Sequence, residues 1–210
     1  MFVKRFLGIV LMMLLFSPLA LASAVGTVTK SRGEVEVTRE NQKLPIKTKD
    51  ALFVKDHVQT GPRGLFLANL NDDTKIVLGN NASMVVQELS YTEGAKDNKA
   101  SLEVTKGAFR FVSGLAAKGN PDAMKVQLGK LATIGVRGTH FGGVMTENDV
   151  QVMLLRPADG SDRPTAITVT NELGSVTIDT PGLGTTLRPN QAPSAPEPME
   201  IPILSCPMFQ

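Results

Sequence analysis

The 210-residue chain carries 22 Lys+Arg against 20 Asp+Glu, a single cysteine, one tyrosine and no tryptophan. One cysteine excludes an internal disulfide framework, and the near balance of charge removes the basic footprint of a nucleic-acid binder. With aromatic residues scarce, Val, Leu, Ile and Phe must build the core.

Residues 1–24 have the layout of a cleavable export signal. Lys4 and Arg5 form a positive start, Phe6 to Leu15 an apolar stretch, and Ala20-Leu21-Ala22 or Ala22-Ser23-Ala24 a small-x-small cleavage site. Ser17 and Pro18 interrupt the apolar run, which is shorter than the roughly 20 residues a bilayer span needs. No later segment is apolar enough to span. The expected product is exported to the periplasm and has no membrane span once the signal is cut. Losing Lys4 and Arg5 also leaves cationic and anionic residues equal, so no general attraction to anionic lipid is expected.

From Val25 to Pro189 the recurring signal is alternation. "EVEVT" at Glu34 to Thr38, "SLEVTKGAFRFV" at Ser101 to Val112, "MKVQL" at Met124 to Leu128, "AITVTN" at Ala166 to Asn171 and "SVTID" at Ser175 to Asp179 all read as half-buried strands. Leu65 to Leu70 and Lys75 to Gly79 are more continuously apolar and suit interior strands. Turn chemistry separates them: Gly61 to Gly64, Asn71 to Asp73 and Gly79 to Asn81. Glu93 to Lys99 and Gly114 to Ala123 read as polar loops. Short strands at this spacing, with no helical period between them, predict an all-β body. After Leu187 prolines accumulate, and proline cannot supply the amide a central strand requires. Asn190 to Gln210 therefore reads as an extended tail, disordered on composition alone, unless its apolar end "IPILSCPMF" docks on the domain or on a partner. Cys206, within it, reads as an incidental thiol.

The stretch "ATIGVRGTHF", ending at Phe141, fits none of the chemistries tested against it. Gly135 and Gly138 form neither GxGxxG nor GxxxxGK[ST], so a phosphate cradle is not indicated. His57 and His140 are the only histidines, which leaves no metal-ligand cluster. No GxSxG elbow supports a hydrolase built on His140. No catalytic residue and no cofactor is expected. An architectural reading fits better, with Gly135 and Gly138 at a bend and Ile134, Val136 and Phe141 packing inward. On that reading Arg137 is a buried brace bonded to carbonyls or a carboxylate. The alternative has it facing solvent and gripping an acidic ligand.

These residues carry a resemblance. The run Gly135, Val136, Arg137, Gly138, Thr139 and Phe141 resembles the signature of the FecR-domain family. "VGTVTKSRGEVEV", the block from Lys55 to Val86, "LEVTKGAFRF", "VQVMLLRPADG" and "TLRPNQA" follow in the family's order. The resemblance covers about Val25 to Ala192. It implies a periplasmic all-β module, β-solenoid-like or a β-roll or sandwich, that senses or binds and does not catalyse. The partition expected is a signal peptide at 1–24, a FecR-like domain at 25–189 and a Pro-rich tail at 190–210. The partner expected is another envelope protein, met through strand edges or the two polar loops. The rival is a carbohydrate or small-ligand binding module, which the shortage of aromatic platforms disfavours.

Overall fold

The computed structural model describes residues 23–119, 123–157 and 159–205. The expected export signal, apart from Ser23 and Ala24, and Cys206 lie outside the described residues. The chain opens with β1 (Gly26–Arg32), β2 (Val35–Arg39), β3 (Gln42–Pro45), β4 (Ala51–Leu52) and β5 (His57–Thr60). It continues with β6 (Leu65–Leu70), β7 (Lys75–Leu78), β8 (Ser83–Ser90) and the long β9 (Lys99–Val112), then one helical turn, α1 (Ala116–Gly119). Next come β10 (Met124–Leu128), β11 (Ala132–Arg137), β12 (His140–Met145) and β13 (Val150–Leu155). The last strands are β14 (Ala166–Asn171), β15 (Gly174–Ile178), β16 (Leu183–Leu187) and β17 (Glu197–Pro198).

The all-β expectation holds. Hydrogen bonding sorts the strands into two sheets that share β9. Sheet A runs β4-β1-β6-β7-β9-β12-β13-β16-β17, and sheet B runs β3-β2-β5-β8-β9-β10-β11-β14-β15. The two sheets enclose one core, to which Phe66, Leu78, Phe111 and Phe141 come from sheet A and Val58, Met84, Leu102 and Ile134 from sheet B. Of the folds expected this is the roll or sandwich. Among the described residues only β9 and β10 pair in parallel, where the stacked coils of a solenoid would pair in parallel throughout.

Strand β9 turns the corner between sheets at Gly107. Its residues through Lys106 ladder with β8, and Gly107 onward ladders with β12. Gly107 sits at φ +82°, and a Cβ there would lie 2.4 Å from Ala82 Cα. The corner reverses the inward phase. Leu102 and Val104 point into the core before it, Phe109 and Phe111 after it. Phe111 then stacks between Phe109 and Phe141, each ring centroid 5.6 Å away and tilted.

An arginine does brace the layers, but it is Arg39. Its Nε and one Nη each donate to the Asp56 carboxylate at 2.7 Å, and the Nη also donates to the Ala51 carbonyl at 3.2 Å. Asp56 is wholly buried and accepts the Phe53 amide as well, while the guanidinium lies 4.2 Å over the Phe53 ring. Arg39 belongs to sheet B and Ala51 to sheet A, so this fork ties the sheets together.

The C-terminal segment is more than an appendage. β17 pairs with β16, and Met199, Ile201 and Leu204 lie across the outer face of sheet A against Val77, Ala108, Val144, Met153 and Leu155. Gly142 supplies the depression for Leu204: a Cβ on it would stand 2.9 Å from a Leu204 methyl. Of the two dockings left open for this apolar end, the structure shows the one on its own domain.

Candidate functional site

The signature run is the second crossing between the sheets. β11 lies in sheet B and β12 in sheet A, and Gly138, at φ +55°, lets the chain turn between them. Val136 and Phe141 are fully buried on either side of the turn. Thr139, also buried, is bonded twice to Ser113: its N–H donates to Ser113 Oγ at 2.7 Å and its carbonyl accepts the Ser113 N–H at 2.9 Å. The Thr139 hydroxyl has no partner among the described residues.

Arg137 is the exception. Its side chain is exposed and forms no ion pair among the described residues. The buried-brace expectation is therefore corrected, and the period-two rule explains why. With Ile134 and Val136 pointing inward, positions 135 and 137 must point out.

His140 is buried but fully engaged. Nδ1–H donates to the Arg156 carbonyl at 2.6 Å, which leaves Nε2 to accept from Arg110 Nε–H. Burial pushes its pKa down to about 4, opposed by the bond to the Arg156 carbonyl and assisted by the Arg110 charge. A neutral ring with both nitrogens occupied has no position free for general-base work. His57 meets Ser83 Oγ at 2.6 Å, and Thr105 Oγ1 donates to the same serine at 2.9 Å. No carboxylate orients that imidazole among the described residues.

Each of the two loops expected to carry contacts is anchored at described residues. Asn98 closes the first, accepting the Thr92 amide and donating to the Thr92 and Ala95 carbonyls. Ala116 and Ala117 of the second pack into the core.

What stands open is the outer face of sheet B, where Gly135 and Arg137 line a groove of about 790 Å³. Register builds its floor in two rows. Gln127, Thr133, Thr170 and Ser175 are successive partners across β10, β11, β14 and β15. Lys125, Gly135, Thr168 and Thr177 form the next row. Hydroxyls pair along the wall, Thr170 with Ser175 at 2.8 Å and Thr168 with Thr177 at 3.2 Å. At the centre, a Cβ on Gly135 would meet only the Thr168 carbonyl, at 3.8 Å. Gly135 therefore keeps the floor clear. Lys125, like Arg137, is exposed and forms no ion pair among the described residues.

Residues 56–158 match the family model described as "FecR protein". This stretch is a FecR domain. It takes in the corner strand β9, both crossings, the Arg137 turn and the β10 and β11 half of the groove; β14 and β15 lie beyond it. No curated protein sequence matches the chain significantly. Among solved structures, one described as a "Cell surface anchoring domain" is 31% identical over 29% of this chain and 82% of its own, with a TM-score of 0.28. Two structures described as a "putative anti-sigma factor" from Parabacteroides distasonis are 12% identical, with TM-scores of 0.49 and 0.47. Each comparison covers 65% of this chain and 56% of theirs, so the chain spans little more than half their length. Among the described residues, no helix is long and apolar enough to cross a membrane.

Proposed function

We propose that the protein is an exported, non-catalytic recognition module of the bacterial cell envelope that assembles with an envelope partner, the sheet B groove being its recognition face. One observation carries this reading. The signature turn holds Arg137 outward on a rigid sheet beside Lys125, and neither cation has a partner within the described chain. Two desolvatable charges held on a fixed scaffold suit recognition of an anionic partner. The export signal at residues 1–24 supports a periplasmic site of action.

In-cell crosslinking followed by mass spectrometry tests it, comparing the native chain with Arg137→Glu and Lys125→Glu. The reading predicts one dominant envelope target that both variants lose while remaining folded. A target retained by both variants would move recognition off the groove. A second reading, carbohydrate or small-ligand binding, is favoured by the ordered hydroxyls of Thr133, Thr168, Thr170 and Thr177 along the same floor.

A further inference from the structure

We propose that the ligand of this groove is an acidic polysaccharide, a chain of carboxylate-bearing sugars laid across β10, β11 and β14. The inference rests on the groove being the recognition face and names what it recognises.

Charge comes first. The lining holds Lys125 and Arg137 and no carboxylate. Once the export signal is removed the chain as a whole is neutral, so this surface is a local positive excess. Lys125 sits in register with Gly135, and Arg137 lies two residues further along the same face. Strand geometry sets their Cα atoms roughly 8 Å apart, on either side of the open floor. One small anion would need donors converging on a point. Two cations flanking a clear channel fit successive charges along an extended chain.

The remaining lining decides what kind of chain. Ser101, Gln127, Thr133, Thr168 and Thr170 present hydroxyl and amide groups that both donate and accept. Their spacing is fixed by the ladders, and the threonines are stiff at χ1. Sugar hydroxyls, which also donate and accept, match such an array. The groove's aliphatic members, Val136 and Ala166, offer no anchor: Val136 is fully buried. A protein interface centres on buried aromatic or apolar anchors together with arginine, and of these the groove offers only Arg137. Single-stranded nucleic acid needs stacking faces and more cations. The shortage of aromatic platforms counts against neutral sugars, where stacking supplies the affinity. For a polyanion, ion pairs and charge-assisted hydrogen bonds replace it. Binding must then weaken with salt, because exposed charge pairs are screened.

Titration calorimetry of the whole chain against oligogalacturonate tests this, with dextran and poly-glutamate as controls. Three variants accompany it: Lys125→Glu, Arg137→Glu, and Gly135→Leu, whose side chain enters open space and fills the channel without backbone strain. The expected result is binding to oligogalacturonate, none to dextran, and weaker binding to poly-glutamate. Each variant should weaken binding by roughly ten-fold or more at an unchanged melting temperature. Binding that survives all three variants overturns the assignment to this groove, and equal binding of poly-glutamate overturns the sugar specificity. Failure of oligogalacturonate to bind, while the same variants still lose the in-cell target, overturns the glycan and leaves the recognition face standing. Failure of both readouts removes the recognition face as well.

Discussion

Replacing Arg39 by Ala is the perturbation whose cost the structure sets most clearly. The Asp56 carboxylate is wholly buried and loses both guanidinium bonds, each of 2.7 Å, keeping the Phe53 amide at 2.9 Å. Removing one member of a buried pair costs about 3 to 5 kcal/mol, because a charge is left without its partner. The Arg39 side chain is 32% exposed, so water already screens part of the interaction. The lower end applies, about 3 kcal/mol. For a chain of this size that lowers the melting temperature by roughly 6 to 12 °C. Urea unfolding followed by circular dichroism measures it, with Arg137→Ala alongside. The exposed Arg137 should change stability by no more than about 0.5 kcal/mol. A double-mutant cycle with Asp56→Ala should show strong coupling, since either single change already breaks the fork. If Arg137→Ala costs as much as Arg39→Ala, the assignment of the brace is wrong.

Leu204→Ala should destabilise by about 2 kcal/mol, the low end for a buried leucine, and should increase dye binding as the outer face of sheet A is uncovered; no change would mean that the C-terminal docking contributes nothing. Gly107→Ala places a Cβ against the Ala82 backbone at positive φ, and a loss of at least about 2 kcal/mol by denaturant titration is expected. His140 titrates lower in the folded state, at about 4, than the 6.5 of a free histidine. The unfolded chain therefore binds the proton first, and the stability contributed by neutral His140 is full above pH 6.5 and lost as pH falls toward 4. The loss should be about 2 to 3 kcal/mol across that window, and His140→Gln should flatten the acid limb of the stability profile.

Much of this fold could be read in advance because alternation and turn residues coincide. Met124 to Leu128 and Ala166 to Asn171 have the strand limits that their patterns indicate. The strand through Ser101 to Val112 is legible too, but the corner it turns at Gly107 is harder to see, since glycine at a phase break gives no sign that the chain changes sheet. The signal was nonetheless present: inward residues change from even to odd numbers between Val104 and Phe109, and again between Val136 and Phe141, each time across a positive-φ glycine. The same parity points Arg137 outward, so its exposure was legible and the brace reading set the rule aside. The Arg39–Asp56 fork was not legible, because its members lie 17 residues apart and meet only when β2 and β5 pair. Nor was the docking of Met199 and Leu204. Proline spacing hides the pattern, and the face that receives them exists only after sheet A has assembled.

The central claim, that the open face of sheet B is where this module meets its target, is tested most directly by a photo-crosslinking residue placed at Thr168 within the groove. The control is the same residue at Lys47, which is exposed and outside the groove lining. The account predicts capture of an envelope component from position 168, none from position 47, and loss of capture when Gly135→Leu fills the channel. Equal capture from both positions, or capture from 168 that Gly135→Leu leaves intact, would contradict it.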